Sequence, residues 1–143
     1  MVRVALTALI AALLAAPASA QEPVKSKPAP QSAKLYIIWP HDGQIIKGGK
    51  FWLRMGLKGM GIAPAQVAWP NAGHHHVLVD VEPPPLDEPI PNDRNHLHFG
   101  KGQTEARVEL PPGRHTLQLM LGDERHVPFD PPVLSEKITI TVK

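Results

Sequence analysis

The sequence predicts an all-β fold, an immunoglobulin-like antiparallel sandwich of about seven strands, with a small barrel as the alternative. Three observations carry this expectation. Short runs of β-branched, aromatic and aliphatic residues recur between Gly/Pro clusters. The runs alternate apolar with polar side chains, the period of a half-buried strand. Seventeen prolines and 11 glycines leave no ten-residue stretch of the domain with a helical period, since proline costs about 3 kcal/mol in a helix interior.

In chain order, Met1–Ala20 reads as a cleaved export signal. Arg3 supplies a positive start, Val4–Ala16 is apolar apart from Thr7, and Ala18-Ser19-Ala20 gives a small-x-small cleavage site. The apolar run falls short of the roughly 20 residues that span a bilayer, so no stable membrane insertion is expected after cleavage. The expected location is the periplasm. Residues 21–34, QEPVKSKPAPQSAK, hold charges, three prolines and one large aliphatic side chain, the composition of a flexible tether. The domain is expected over 35–143.

Its strands follow in order. Leu35–Trp39 ends at Pro40 and a His-Asp-Gly turn, and Phe51–Leu57 puts Phe51, Leu53, Met55 and Leu57 on one face. His75–Val81 puts Val77, Val79 and Val81 inward. Glu105–Leu110 and His115–Leu121 are joined by Pro111-Pro112-Gly113, with Leu117, Leu119 and Leu121 inward. Lys137–Val142 alternates isoleucine and valine with threonine. The proline-rich, acidic stretch Glu82–Asn95 is too long for a hairpin and too polar for a core, so it is a loop of the kind that carries function or spacing.

Composition excludes several functions. A net charge of +2 is too balanced for nucleic-acid binding through a broad basic face. Cysteine is absent, which removes disulfides, thiolate ligands and Fe–S clusters. Ser135 has no G-x-S-x-G setting and no phosphate-cradling glycine loop occurs. Asp87-Glu88 and Asp123-Glu124 read as solvated turns.

Histidine is the unusual residue, with 8 copies. Strand alternation sends His75 inward with the valines and places His74, His76 and Asp80 on the opposite face. The same rule pairs His96 with His98 outward and Leu97 with Phe99 inward. A His-x-His pair projects two imidazoles from one side of a strand, within reach of one ion at about 2.0–2.1 Å per bond. If the two segments are neighbours, His74, His76, His96 and His98 can converge, with Asp80 as ligand or orienting group and His126 as a loop ligand. Imidazole without thiolate suits Cu(II) and Zn(II); Met55, Met60 and Met120 are soft donors for Cu(I), with Met55 read as packing and Met60, in a Gly-flanked loop, as the better candidate. His115, directly after the Pro-Pro-Gly turn, reads as structural. The competing reading makes all these histidines hydrogen-bonding or pH-responsive groups.

Gly73–Asp80 (GHHHVLVD), His98–Glu105 (HFGKGQTE), Leu110–Leu119 (LPPGRHTLQL), His126-Val127-Pro128 and Ser135–Ile138 together resemble the family described as domain of unknown function 4399, found in exported bacterial proteins. That resemblance implies an exported bacterial domain and assigns no activity. Trp39–Ile46 (WPHDGQII), followed by an alternating strand, is similar to the P-x-D-G opening of periplasmic copper-resistance β-sandwiches, which implies copper on His and Asp or Met ligands. This chain departs from them in having no histidine at its expected mature N-terminus. Copper–zinc superoxide dismutases also carry an H-x-H strand pair on a sandwich, but their glycine motifs and disulfide are absent here.

The expectation is a periplasmic protein that sequesters or delivers a metal ion, copper before zinc, without catalysis; an oxidoreductase using the same site is a further alternative that needs turnover above that of the free ion. The alternative is an envelope binding module in which the proline-rich loop and Trp39, Trp52 or Trp69 contact another envelope protein or a glycan.

Overall fold

The computed structural model describes residues 24–143; the expected signal segment and Gln21–Pro23 lie outside the described residues. Among the described residues there is no helix. The strands are β1 (Lys34–Trp39), β2 (Ile45–Ile46), β3 (Lys50–Lys58), β4 (Gly61–Ile62), β5 (Ala72–Val79), β6 (His96–His98), β7 (Glu105–Glu109), β8 (Gly113–Gly122) and β9 (Ile138–Val142). The six longer ones are those the alternation predicts. The short strands β2 and β4 are additions that pair along the rims, and β6 is the extended His-x-His segment, paired with β5.

One sheet is antiparallel in the order β1-β3-β7. The other runs β2-β9-β8-β5, with β4 and β6 both on the free side of β5. β2 and β4 pair in parallel with their neighbours. Leu35, Phe51, Leu53, Met55 and Val108 of the first sheet share one core with Val77, Val79, Leu117, Leu119, Leu121 and Ile140 of the second. The two sheets therefore face each other as a sandwich.

β5 departs from ordinary alternation because all eight of its residues are buried. Its inner face meets the core. Its outer face carries Leu78, which packs with Met120 and Ile90, and Val81, Leu86 and Leu134 close over them. Ile90 and Leu86 come from the proline-rich loop, so that loop covers the sheet. Val81 is thus not inward. Asp80 takes a left-handed φ of +58°, which breaks the alternation one residue before it.

Two other expectations change. Residues 24–33 lie along the domain rather than forming a free tether: Lys27 and Ala29 exchange backbone bonds with Asp130, Ser26 Oγ donates to Leu86 O, and Lys27 Nζ pairs with Glu124 at 2.5 Å. Ala29 and Ala33 also pack on the core. The Asp123-Glu124 turn is not solvated at its first residue. Asp123 is 1% exposed, and its carboxylate accepts from the backbone N–H of Arg125 and Val127 and from the Arg125 guanidinium.

His115 is structural, as expected. Its Nδ1 lies 2.6 Å from Asp80 Oδ2 and its Nε2 lies 2.9 Å from the Pro111 carbonyl. Both partners only accept, so the protonated ring, donating from both nitrogens, is the form these contacts favour. Burial alone would lower its pKa, but the bonds to Asp80 and Pro111 prevail and raise it above 6.5. The contribution is complete below pH 6.5 and is lost as pH rises through the folded-state value. Asp80→Asn, which tolerates the left-handed backbone, is expected to cost about 1 kcal/mol at pH 6, a charge-assisted bond discounted for the carboxylate's partial exposure. It should also flatten the decline of melting temperature above pH 6.5. An unchanged profile would remove His115 as the origin of that decline.

Candidate metal centre

The site forms where two strands and one turn meet on the outer face of β5. Register sets the first part: His76 lies opposite His98 of β6 on one side and Met120 of β8 on the other. His74, two residues earlier on the same face, lies opposite Gly122. The turn after β8 brings the fourth ring. Asp123 N–H donates to Val127 O and His126 N–H to Asp123 O, and His126 holds φ at +68°. Ile90 N–H donates to His126 O at 2.8 Å, which ties this turn to the proline-rich loop.

Four imidazoles result. Ring-centroid separations are 4.8 Å for His74–His76, 5.0 Å for His74–His98, 5.0 Å for His74–His126, 5.1 Å for His76–His98, 6.0 Å for His76–His126 and 4.7 Å for His98–His126. Four imidazoles tetrahedrally bound at about 2.0–2.1 Å would place their centroids about 5.2 Å apart, close to this set. His74, His76 and His98 each offer a ring nitrogen within 4.8 Å of the other two, an arrangement that could hold a metal ion.

The electrostatics suit ligation. His74 and His76 are fully buried, and neither of their ring nitrogens has a hydrogen-bond partner; His98 Nε2 also lacks one. Burial, then repulsion from neighbouring imidazoles, pushes His74 down to about 4 and His76 to about 2. Burial and His126 lower His98 as well. Neutral rings keep a lone pair for a cation at pH 7.

Two expected ligands are not brought to the cluster. His96 pairs across from Leu78, one strand period beyond His98, and its Nδ1 lies 2.9 Å from Asp93 Oδ1. Asp80 is turned by its left-handed φ onto His115 and the Thr116 N–H. Among the methionines, register puts Met120 beside His76, whereas Met60 packs against the sandwich core. The His-Asp-Gly turn of the copper-resistance-like segment docks on β9, where Asp42 Oδ1 accepts from Thr139 N–H. No simple sequence signal chooses among these, because they depend on pairing register and one backbone reversal.

The geometry defines a β-sandwich domain with a buried histidine cluster. The chain belongs to the family described as domain of unknown function DUF4399, which matches residues 53–143. No curated protein and no solved structure matches the chain.

His75 provides a control. It lies on the core face, fully buried with both ring nitrogens unpartnered, and burial pushes its pKa down to about 4. The unfolded chain takes up this proton near pH 6.5, so stability present above that pH is lost as pH falls toward 4. His75→Leu is expected to recover about 2 kcal/mol at pH 5, read from denaturant melts of the metal-free protein. A variant as acid-labile as the wild type would contradict this.

Proposed function

We propose that this domain binds a copper or zinc ion in the bacterial periplasm and sequesters or delivers it without catalysis. One observation carries the reading: ring nitrogens of His74, His76 and His98 are buried together with no partner. An unpartnered buried polar atom costs about 1–3 kcal/mol, and a cation on these lone pairs offsets that cost. His126 is the fourth ligand, supplied by the turn rather than a strand.

Copper is the preferred occupant. Imidazole sites bind Cu(II) more tightly than Zn(II) in the general order of divalent ions, and the Met120 thioether, across from His76, is a soft group suited to Cu(I). A closed four-imidazole site leaves no open position for substrate, which favours storage or transfer over turnover. The chain from Gln21 is expected to be the exported form.

A second reading draws on the opposite sheet. A groove of about 510 Å³ is lined by Trp39, Phe51, Trp52 and Arg107, and Trp52 is 45% exposed with Arg107 stacked over it. Trp69 is exposed as well. These suit an envelope-partner surface, and that role is compatible with metal binding.

Calorimetric titration of tag-free Gln21–Lys143 with Cu(II) and Zn(II), with EPR on the copper form, tests the first reading. Stoichiometric sub-micromolar binding and nitrogen hyperfine structure are expected. An ion at about 100 times its Kd should add about 2.7 kcal/mol of stability. His74→Ala/His76→Ala is expected to abolish tight binding and His126→Ala to weaken it about tenfold, a loss of about 1.4 kcal/mol. His96→Ala should bind as the wild type. Unchanged affinity in the His74/His76 double variant would refute the site.

A further inference from the structure

The rings at the centre lean. On the outer face, one rung across the sheet reads His98–His76–Met120. In the next rung His74 lies opposite Gly122, and extending the β5–β6 register by two residues brings Gly100 to its other side. A side chain at either glycine would meet an imidazole. A Cβ at Gly122 would lie 2.7 Å from Cε1 and 3.1 Å from Nδ1 of His76. A Cβ at Gly100 would overlap Cε1 and Nε2 of His98. Real Cβ atoms essentially never come within 3.0 Å of such a neighbour.

Backbone conformation does not require glycine at these two places. Neither is among the glycines with positive φ; Gly122 ends β8, where glycine costs roughly 0.5–1 kcal/mol against alanine, and Gly100 lies in the turn two residues after β6. At Gly122 a strand glycine without a bulge points to close approach by another group, and at Gly100 the His98 ring occupies the space a side chain would need. Here the approaching groups are the two rings that must tilt along the sheet toward His74.

We propose that Gly100 and Gly122 are positioning residues of the metal centre: by presenting no side chain on either side of His74, they let His98 and His76 lean over them and converge. The proposal rests on the metal-binding reading for its role. A methyl group at Gly122 meets mainly the His76 ring and, at 3.2 Å, the flexible end of Ile90. Relief comes by displacing the ring, so the damage falls on the site and not on the sandwich.

The test uses full-length mature protein carrying Gly100→Ala or Gly122→Ala. Gly56→Ala, whose methyl group would strike the Tyr36 ring on the opposite sheet, controls for simple destabilisation. Cu(II) and Zn(II) affinities are measured by competition titration, and melting of the metal-free forms is measured alone and with His76→Ala. Both site variants are expected to lose tenfold or more in affinity and to show altered nitrogen hyperfine structure, while Gly56→Ala melts lower and binds normally. Gly122→Ala should lower the metal-free melting temperature when His76 is present and leave it unchanged or slightly raised in His76→Ala, because the ring it strikes is gone and alanine is favoured over glycine in a strand. Wild-type affinity in both site variants, or equal destabilisation with and without His76, would overturn the cradle while leaving the metal site intact. Failure of the wild type to bind either ion would instead refute the metal reading, and the role of the glycines with it.

Discussion

Burying imidazole nitrogens without hydrogen-bond partners is the constraint around which this domain is arranged. His74, His75 and His76 leave six ring nitrogens unpartnered and His98 a seventh. At about 1–3 kcal/mol each, that sum is comparable with the roughly 5–15 kcal/mol by which a whole domain is stable. On the proposed reading a cation would engage one nitrogen on each of His74, His76 and His98, while the two on His75, on the core face, stay without a partner. The depressed pKa values have the same origin. Desolvation forbids charge on the rings, and leaving them neutral preserves the lone pairs.

The burial itself comes from covering β5 on both faces. The opposite sheet closes one side. The proline-rich loop and the Asp123–Val127 turn close the other, Ile90 fastening one to the other through the carbonyl of His126. Asp123 holds that turn by spending its carboxylate on backbone N–H groups and on Arg125. Residues 24–30 then bind both pieces from outside through Ser26, Lys27 and Lys25. Three of the four imidazoles stand on or beside paired strands, and the fourth stands on a turn held by these contacts. A turn-borne ring can move at lower cost than a strand-borne one.

Much of the fold was legible because strand alternation is a local property. The six longer strands, the inward leucines of β8 and the shared face of His74 and His76 all follow from residue spacing. Neighbourhood is different. His96 looks equivalent to His98, yet pairing puts it across from Leu78, where Asp93 takes its ring. Asp80 looks like a partner of His76, yet a single left-handed residue swings it to His115. Residues 24–33 look too polar and proline-rich to fold, and they are ordered by backbone bonds to loops far away in the chain.

The sequence by itself determined the all-β class, the alternating faces and the two histidine-bearing segments, because each depends on side chains one or two residues apart. Tertiary structure alone decided that His74, His76, His98 and His126 gather at one place, the first two fully buried, and that His96 and Asp80 do not. It also decided that two glycines flank His74. Those outcomes depend on register between strands distant in sequence and on loops folding back over the sheet, and the free energy that selects them is spread over the whole core rather than written in any one segment.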